Sequence, residues 1–123
     1  MKNGSSNIPL SFANGYFEPV FDLNYDLIEN PVSTFYGRAK GFSMKEAGID
    51  DGDLLVIDKS LEYKNGALAV CHLDGEFTLK RIKKERDKLY ITATNGEFQP
   101  IEIRDNDEII IWGIVTYVVK KAY

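Results

Sequence analysis

From Thr34 onward, short runs rich in β-branched and aromatic residues alternate with turn-forming dipeptides, and this punctuation confines the chain to a mainly β fold. The runs are Thr34 to Ala39, Leu54 to Asp58, Ala67 to Leu73, Phe77 to Ile82, Leu89 to Thr94 and Ile109 to Val119. Such side chains suit a pleated, half-buried surface. Between the runs stand Asp51-Gly52-Asp53, Asn65-Gly66, Asp74-Gly75 and Asn95-Gly96, whose residues tolerate the tight or left-handed backbone that turns require. Asp74-Gly75 joins two runs with almost nothing between them, which predicts a hairpin. Nothing beyond Thr34 sustains a helical period, so at most one helical turn is expected, after Ser43.

Residues 1–33 have a different character. Pro9, Pro19 and Pro31 interrupt a segment with no long apolar period, which reads as an N-terminal arm ahead of a domain spanning residues 34–123. Within the arm, Leu23 and Leu27 lie one helical turn apart and Pro31 follows, so a short helix that clasps the core is expected. The 123 residues suffice for one domain with a core that needs no staples. No apolar stretch reaches the roughly 18 to 20 residues of a membrane span. The start, Met1-Lys2-Asn3-Gly4, lacks the apolar segment of a secretory signal. The lone Cys71, in an apolar run, reads as a packing residue in a reducing cytoplasm. Net charge is −4, and the basic run from Lys80 to Arg86 reads as a strand end and solvated turn, which argues against a dedicated nucleic-acid binder.

Two segments carry chemistry. Gly41-Phe42-Ser43-Met44 follows a predicted strand, and a glycine there permits the sharp turn that would present Ser43 at a helical N-terminus. Free backbone amides of Ser43 and Met44 would then suit an oxyanion, although Ser43 as a simple helix cap fits the same residues. Lys80 follows Ser43 by 37 positions. In a strand, Thr78, Lys80 and Ile82 share a face, so the lysine stands between a hydroxyl and an aliphatic side chain. A lysine is a base only when its amine is neutral, and lost hydration favours that form. Bringing such a base to work near neutrality takes roughly 4 kcal/mol from its surroundings. An ordinary exposed strand lysine is the alternative. His72 is the only histidine and no recognisable serine nucleophile motif uses it; with one histidine and one cysteine the chain also lacks a metal-ligand set, and no Gly-rich phosphate loop occurs.

From about Asp22 to Lys120 the chain resembles the LexA and UmuD family of self-cleaving SOS-response proteins, the S24 peptidases. Gly41-Phe42-Ser43-Met44 is similar to that family's nucleophile segment, and Asp74-Gly75-Glu76-Phe77-Thr78-Leu79-Lys80-Arg81 to the segment holding its general base. Gly48-Ile49, Gly52-Asp53-Leu54-Leu55, Asn95 through Ile101, Gly113-Ile114-Val115 and Val118-Val119-Lys120 match in order. The resemblance implies a LexA-like, signal-peptidase-like β-clip peptidase domain with an extended arm. It implies a Ser43–Lys80 dyad, an oxyanion hole from the Ser43 and Met44 amides, support from Gly41 and Thr78, and no cofactor or metal. It also implies a cytoplasmic homodimer without sequence-specific DNA binding. The UmuD branch fits better than the repressors, whose DNA-binding domain exceeds the 40 residues ahead of Gly41. In that branch a RecA filament on single-stranded DNA activates cleavage, and the processed dimer serves a UmuC-like error-prone translesion polymerase.

Two features depart from the pattern. Phe42 stands where the UmuD branch usually has aspartate. The family cuts an Ala-Gly or Cys-Gly bond in its arm, yet residues 1–33 contain neither, and Ala47-Gly48 belongs to the active-site turn. A processed form, a different bond, or a non-catalytic platform for the polymerase each agrees with that.

Overall fold

The structure, a computed structural model, describes residues 18–41, 47–73, 75–92, 100–104 and 109–123. Its strands are β1 (Thr34–Arg38), β2 (Leu54–Asp58), β3 (Leu68–Leu73), β4 (Glu76–Glu85), β5 (Lys88–Thr92), β6 (Ile101–Ile103) and β7 (Ile110–Val119). They form one seven-stranded sheet in the order β1-β2-β7-β3-β4-β5-β6, with every pairing antiparallel. The last strand thus enters the middle of the sheet, between β2 and β3.

Alternation along the strands builds two cores. One collects Ile49, Leu55, Ile57, Leu68, Val70 and Leu79; the other collects Ala69, Cys71, Ile82, Ile91 and Ile114. In β3, neighbours therefore bury on opposite faces, Leu68 and Val70 on one and Ala69 and Cys71 on the other. Two runs are longer or more numerous than the sequence suggests. β4 continues through Lys83 and Lys84 to Glu85, because β5 pairs with it to the tip, Glu85 opposite Lys88. The short β6 is absent from the sequence reading; it pairs Ile101 with Ile91 and Ile103 with Leu89. The Asn95-Gly96 turn lies outside the described residues.

β7 carries two bulges. Val56 and Ile57 pair with Tyr117 and Val115, leaving Thr116 over, and Val70 and Cys71 pair with Gly113 and Ile111, leaving Trp112 over. Extra residues of this kind re-aim side chains. Thr116 donates its hydroxyl to the Val56 carbonyl at 3.2 Å, and Trp112 turns its ring to Phe35, with centroids 4.4 Å apart.

Ahead of the sheet, a helix α1 (Leu23–Leu27) is capped by Asp22, whose side chain accepts from the Asn24 N–H, and a single 3-10 turn follows at Pro31–Ser33. Tyr117 on β7 donates to the Asp26 carbonyl at 3.5 Å. The stronger tie is Asp58, only 3% exposed at the end of β2. Its carboxylate accepts from Asn30 Nδ2 and Ser33 Oγ on the incoming segment, and from the N–H and Oγ of Ser60. These four donors hold its carboxyl well below the usual range, the Asn30 amide contributing most, with burial acting the other way. Among the described residues, no helix is long and apolar enough to cross a membrane.

Candidate peptidase site

The segment expected to hold the nucleophile leaves the end of β1. Ala39 continues the β1–β2 ladder past Arg38: its N–H donates to the Asp53 carbonyl at 2.9 Å and its carbonyl accepts from Gly52 N–H at 2.8 Å. These two bonds close the base at which the chain leaves the ladder after Ala39 and rejoins it at Gly52. Gly41 has φ +93° and Gly52 has φ +93°, left-handed backbone at which a side chain is strained. Ser43 and Met44 lie outside the described residues, so the dyad and the oxyanion hole remain sequence expectations. Their flanks are described. Gly41 donates its N–H to Asp51 Oδ1 at 2.8 Å, and beyond Glu46 the chain returns through Ala47, packed on the first core, to Ile49 within it.

Lys80 lies in mid-β4, half-buried and opposite Ala69 of β3, with Thr78 opposite Cys71. Thr78, Lys80 and Ile82 alternate on one face as expected. Burial pushes the Cys71 thiol up to about 11, with the Lys80 charge acting against that rise. His72 is a strand residue stacked edge-on against Phe77, with centroids 5.0 Å apart. Among the described residues, no three His, Cys, Asp or Glu side chains converge as metal ligands.

A groove of about 480 Å³ lies across β1, β2, β3, β4 and β7. Its rims include Lys40, one residue before Gly41, and Thr78, two residues before Lys80; Leu55, Ile57, Val70 and Leu79 line it. Phe35, Tyr36, Phe77 and Trp112 supply aromatic walls, with Phe77 59% and Trp112 38% exposed. Phe77 and Trp112 stand 5.0 Å apart, and the Lys59 ammonium lies 5.1 Å from the Trp112 ring. β1, one wall, stands at the edge of the sheet among the described strands. The sequence reading assigned no role to these aromatics, because a bulge on β7 and a hairpin on β3–β4 bring them together.

A mainly β, antiparallel sheet that carries an apolar groove beside an edge strand suits a peptidase domain that binds an extended chain. Residues 4–116 match the family described as Peptidase S24-like. The chain belongs to that family, and its fold is the mainly β, LexA-like β-clip. It is 37% identical over 111 residues to Protein ImpA of Salmonella typhimurium, covering 89% of this chain and 74% of that one. It is 39% identical over 93 residues to the LexA repressor of Ectopseudomonas mendocina, covering 75% of this chain and 46% of the repressor. The LexA repressor of Pseudomonas aeruginosa strain LESB58 is 40% identical over the same length.

Proposed function

We propose that this chain is a UmuD-like, self-cleaving serine peptidase of the SOS response. Ser43 attacks the scissile carbonyl while the neutral amine of Lys80 takes its proton and passes it to the leaving amine. The Ser43 and Met44 amides receive the oxyanion, Thr78 orients the Lys80 amine, and Gly41 allows the segment to turn. The observation that carries this reading is the groove, whose rims are Lys40 and Thr78 and whose edge strand offers an extended peptide backbone hydrogen bonds. The resemblance to the UmuD branch and the similarity to Protein ImpA support the rest: a cytoplasmic homodimer, cleavage prompted by a RecA filament on single-stranded DNA, and a processed form serving a UmuC-like polymerase. A second reading keeps the dimeric, polymerase-binding role without catalysis, and it is favoured by the lack of an Ala-Gly or Cys-Gly bond in residues 1–33. A third, the peptidase and dimerisation domain of a LexA-like repressor, draws on the LexA relatives, and a DNA-binding segment encoded upstream would favour it.

The deciding experiment is intact-mass analysis of the chain incubated with an arm-bearing relative whose own nucleophile serine is replaced by alanine. A single cut, faster at pH 10 than at pH 7 and slowed at least about 100-fold in Ser43→Ala and Lys80→Ala, is the expected result. No cut by folded protein, where an active relative cleaves the same substrate, would establish the non-catalytic reading instead.

A further inference from the structure

We propose that Asp51, Asp53 and Lys120 are positioning residues that brace both ends of the segment carrying Ser43, tying it to the end of the central strand β7; this rests on the reading of Ser43 as nucleophile. At the first end, Asp51 Oδ1 accepts the Gly41 N–H at 2.8 Å, two residues before Ser43. At the second, Asp53 Oδ2 accepts the Asp50 N–H at 2.8 Å, and the Asp53 carbonyl accepts the Ala39 N–H, closing the loop base. Lys120, just past β7, donates to this same Asp53 oxygen and to Asp50 Oδ2 at 2.9 Å. The Asp53 side chain is 7% exposed and that of Lys120 45%, so the pair has one sheltered and one solvated end. The Lys120 contact is the leading reason the Asp53 carboxyl sits below its ordinary value, with the Asp50 N–H next. Removing Lys120 leaves a sheltered carboxylate with one backbone donor, and the turn at 50–53 loses its hold on β7.

The arrangement suits catalysis rather than stability alone. A nucleophile on a loop reaches its base only if the loop is fixed, and displacement by about 1 Å costs on the order of 100-fold in rate. The brace side chains Asp51, Asp53 and Lys120 stand at the ends of the segment, and none of the three lines the groove that would hold substrate. Loss of the brace therefore lowers turnover without weakening substrate binding.

The test compares trans-cleavage by the wild type with that by Lys120→Met, Lys120→Arg, Asp51→Ala, Asp51→Asn and the charge control Lys121→Met, alongside amide hydrogen exchange of residues 41–46 in each. Lys120→Met and Asp51→Ala are expected to lose about 10- to 100-fold in kcat at unchanged KM, with faster exchange at 41–46. Lys120→Arg and Asp51→Asn, which keep a donor and an acceptor, recover most of the rate, and Lys121→Met matches the wild type. Unchanged exchange in Lys120→Met and Asp51→Ala would overturn the brace, as would a lower melting temperature with kcat intact or a change confined to KM. Faster exchange in both variants of a chain whose wild type cleaves nothing would uphold the brace and discard the nucleophile reading.

Discussion

At the scale of single residues, Gly113 shows how tightly the bulged strand is fitted. A Cβ built there would stand 2.6 Å from Ile57 Cγ2 and 3.5 Å from both the Asp58 carbonyl and the Phe35 ring. Ile57 is buried at 3% exposure and has no room to retreat. Gly113→Ala is therefore expected to lower unfolding free energy by about 1–3 kcal/mol in urea melts. Combined with Ile57→Ala, which removes the clashing methyl, its cost should shrink markedly; full additivity would show that the clash is not its cause. The run from Ile109 to Val119 is legible as a strand, but the need for glycine at 113 is not, since the atom it avoids comes from β2. That Lys80 and Thr78 share one face of a strand was legible, because strand alternation alone dictates it. Asp53 and Lys120 both fall in segments that match the family, yet the contact between them is not legible, because the two stand 67 positions apart.

At the scale of elements, the β4–β5 hairpin turns through Arg86, whose φ is +56°. A left-handed backbone costs an ordinary side chain roughly 1–2 kcal/mol, whereas asparagine adopts it more readily. Arg86→Asn should thus raise stability by up to about 1 kcal/mol with no change in fold, read as a higher urea midpoint at constant slope. An unchanged or lower midpoint would show that Arg86 makes compensating contacts. This position also explains why the sequence reading ended the strand at Ile82. The turn has no Gly, Asn or Pro to announce it, and a run of charges looks like solvent-facing loop until Lys83 and Lys84 are paired with Tyr90 and Leu89. β6 was missed for a related reason: three residues are too few for alternation to register, and only its partner makes it a strand. The tie from Asn30 and Ser33 to Asp58 is an element-level contact of the same kind. Asp58→Ala should cost about 2–3 kcal/mol, since three side chains lose a charged acceptor, and it should speed amide exchange at residues 30–34 ahead of the rest of the sheet.

At the scale of the whole molecule, the shifted groups set the limits within which the pH dependence of cleavage can be interpreted. Asp58 and Asp53 stand at or beside the two ends of β2, both with carboxyls held below their ordinary 3.8. Hydrogen bonds to the ionised form are the main cause in each case: Asn30 leads at Asp58 and Lys120 at Asp53. A group whose folded value is depressed contributes its full stability above the unfolded value and loses it as pH falls toward the folded one. Both ends of β2 should accordingly weaken as pH drops below about 4. At the alkaline side, the Cys71 thiol rises from 9.0 to about 11 through burial, so the unfolded chain ionises first and stability declines as pH climbs from 9.0. Lys120, raised above 10.5 chiefly by Asp53, adds stability that is fully present below 10.5 and lost as pH rises from there through its folded value. The melting temperature should therefore fall on acidification below about pH 4, and Asp58→Asn should be less stable at neutral pH with a shallower acid decline. Identical acid slopes in the two proteins would remove Asp58 as the source. Between about pH 6 and 8 none of these shifted groups changes its contribution, so a cleavage rate that climbs across that interval at a level melting temperature would report deprotonation of the lysine base and not a loosening of the fold.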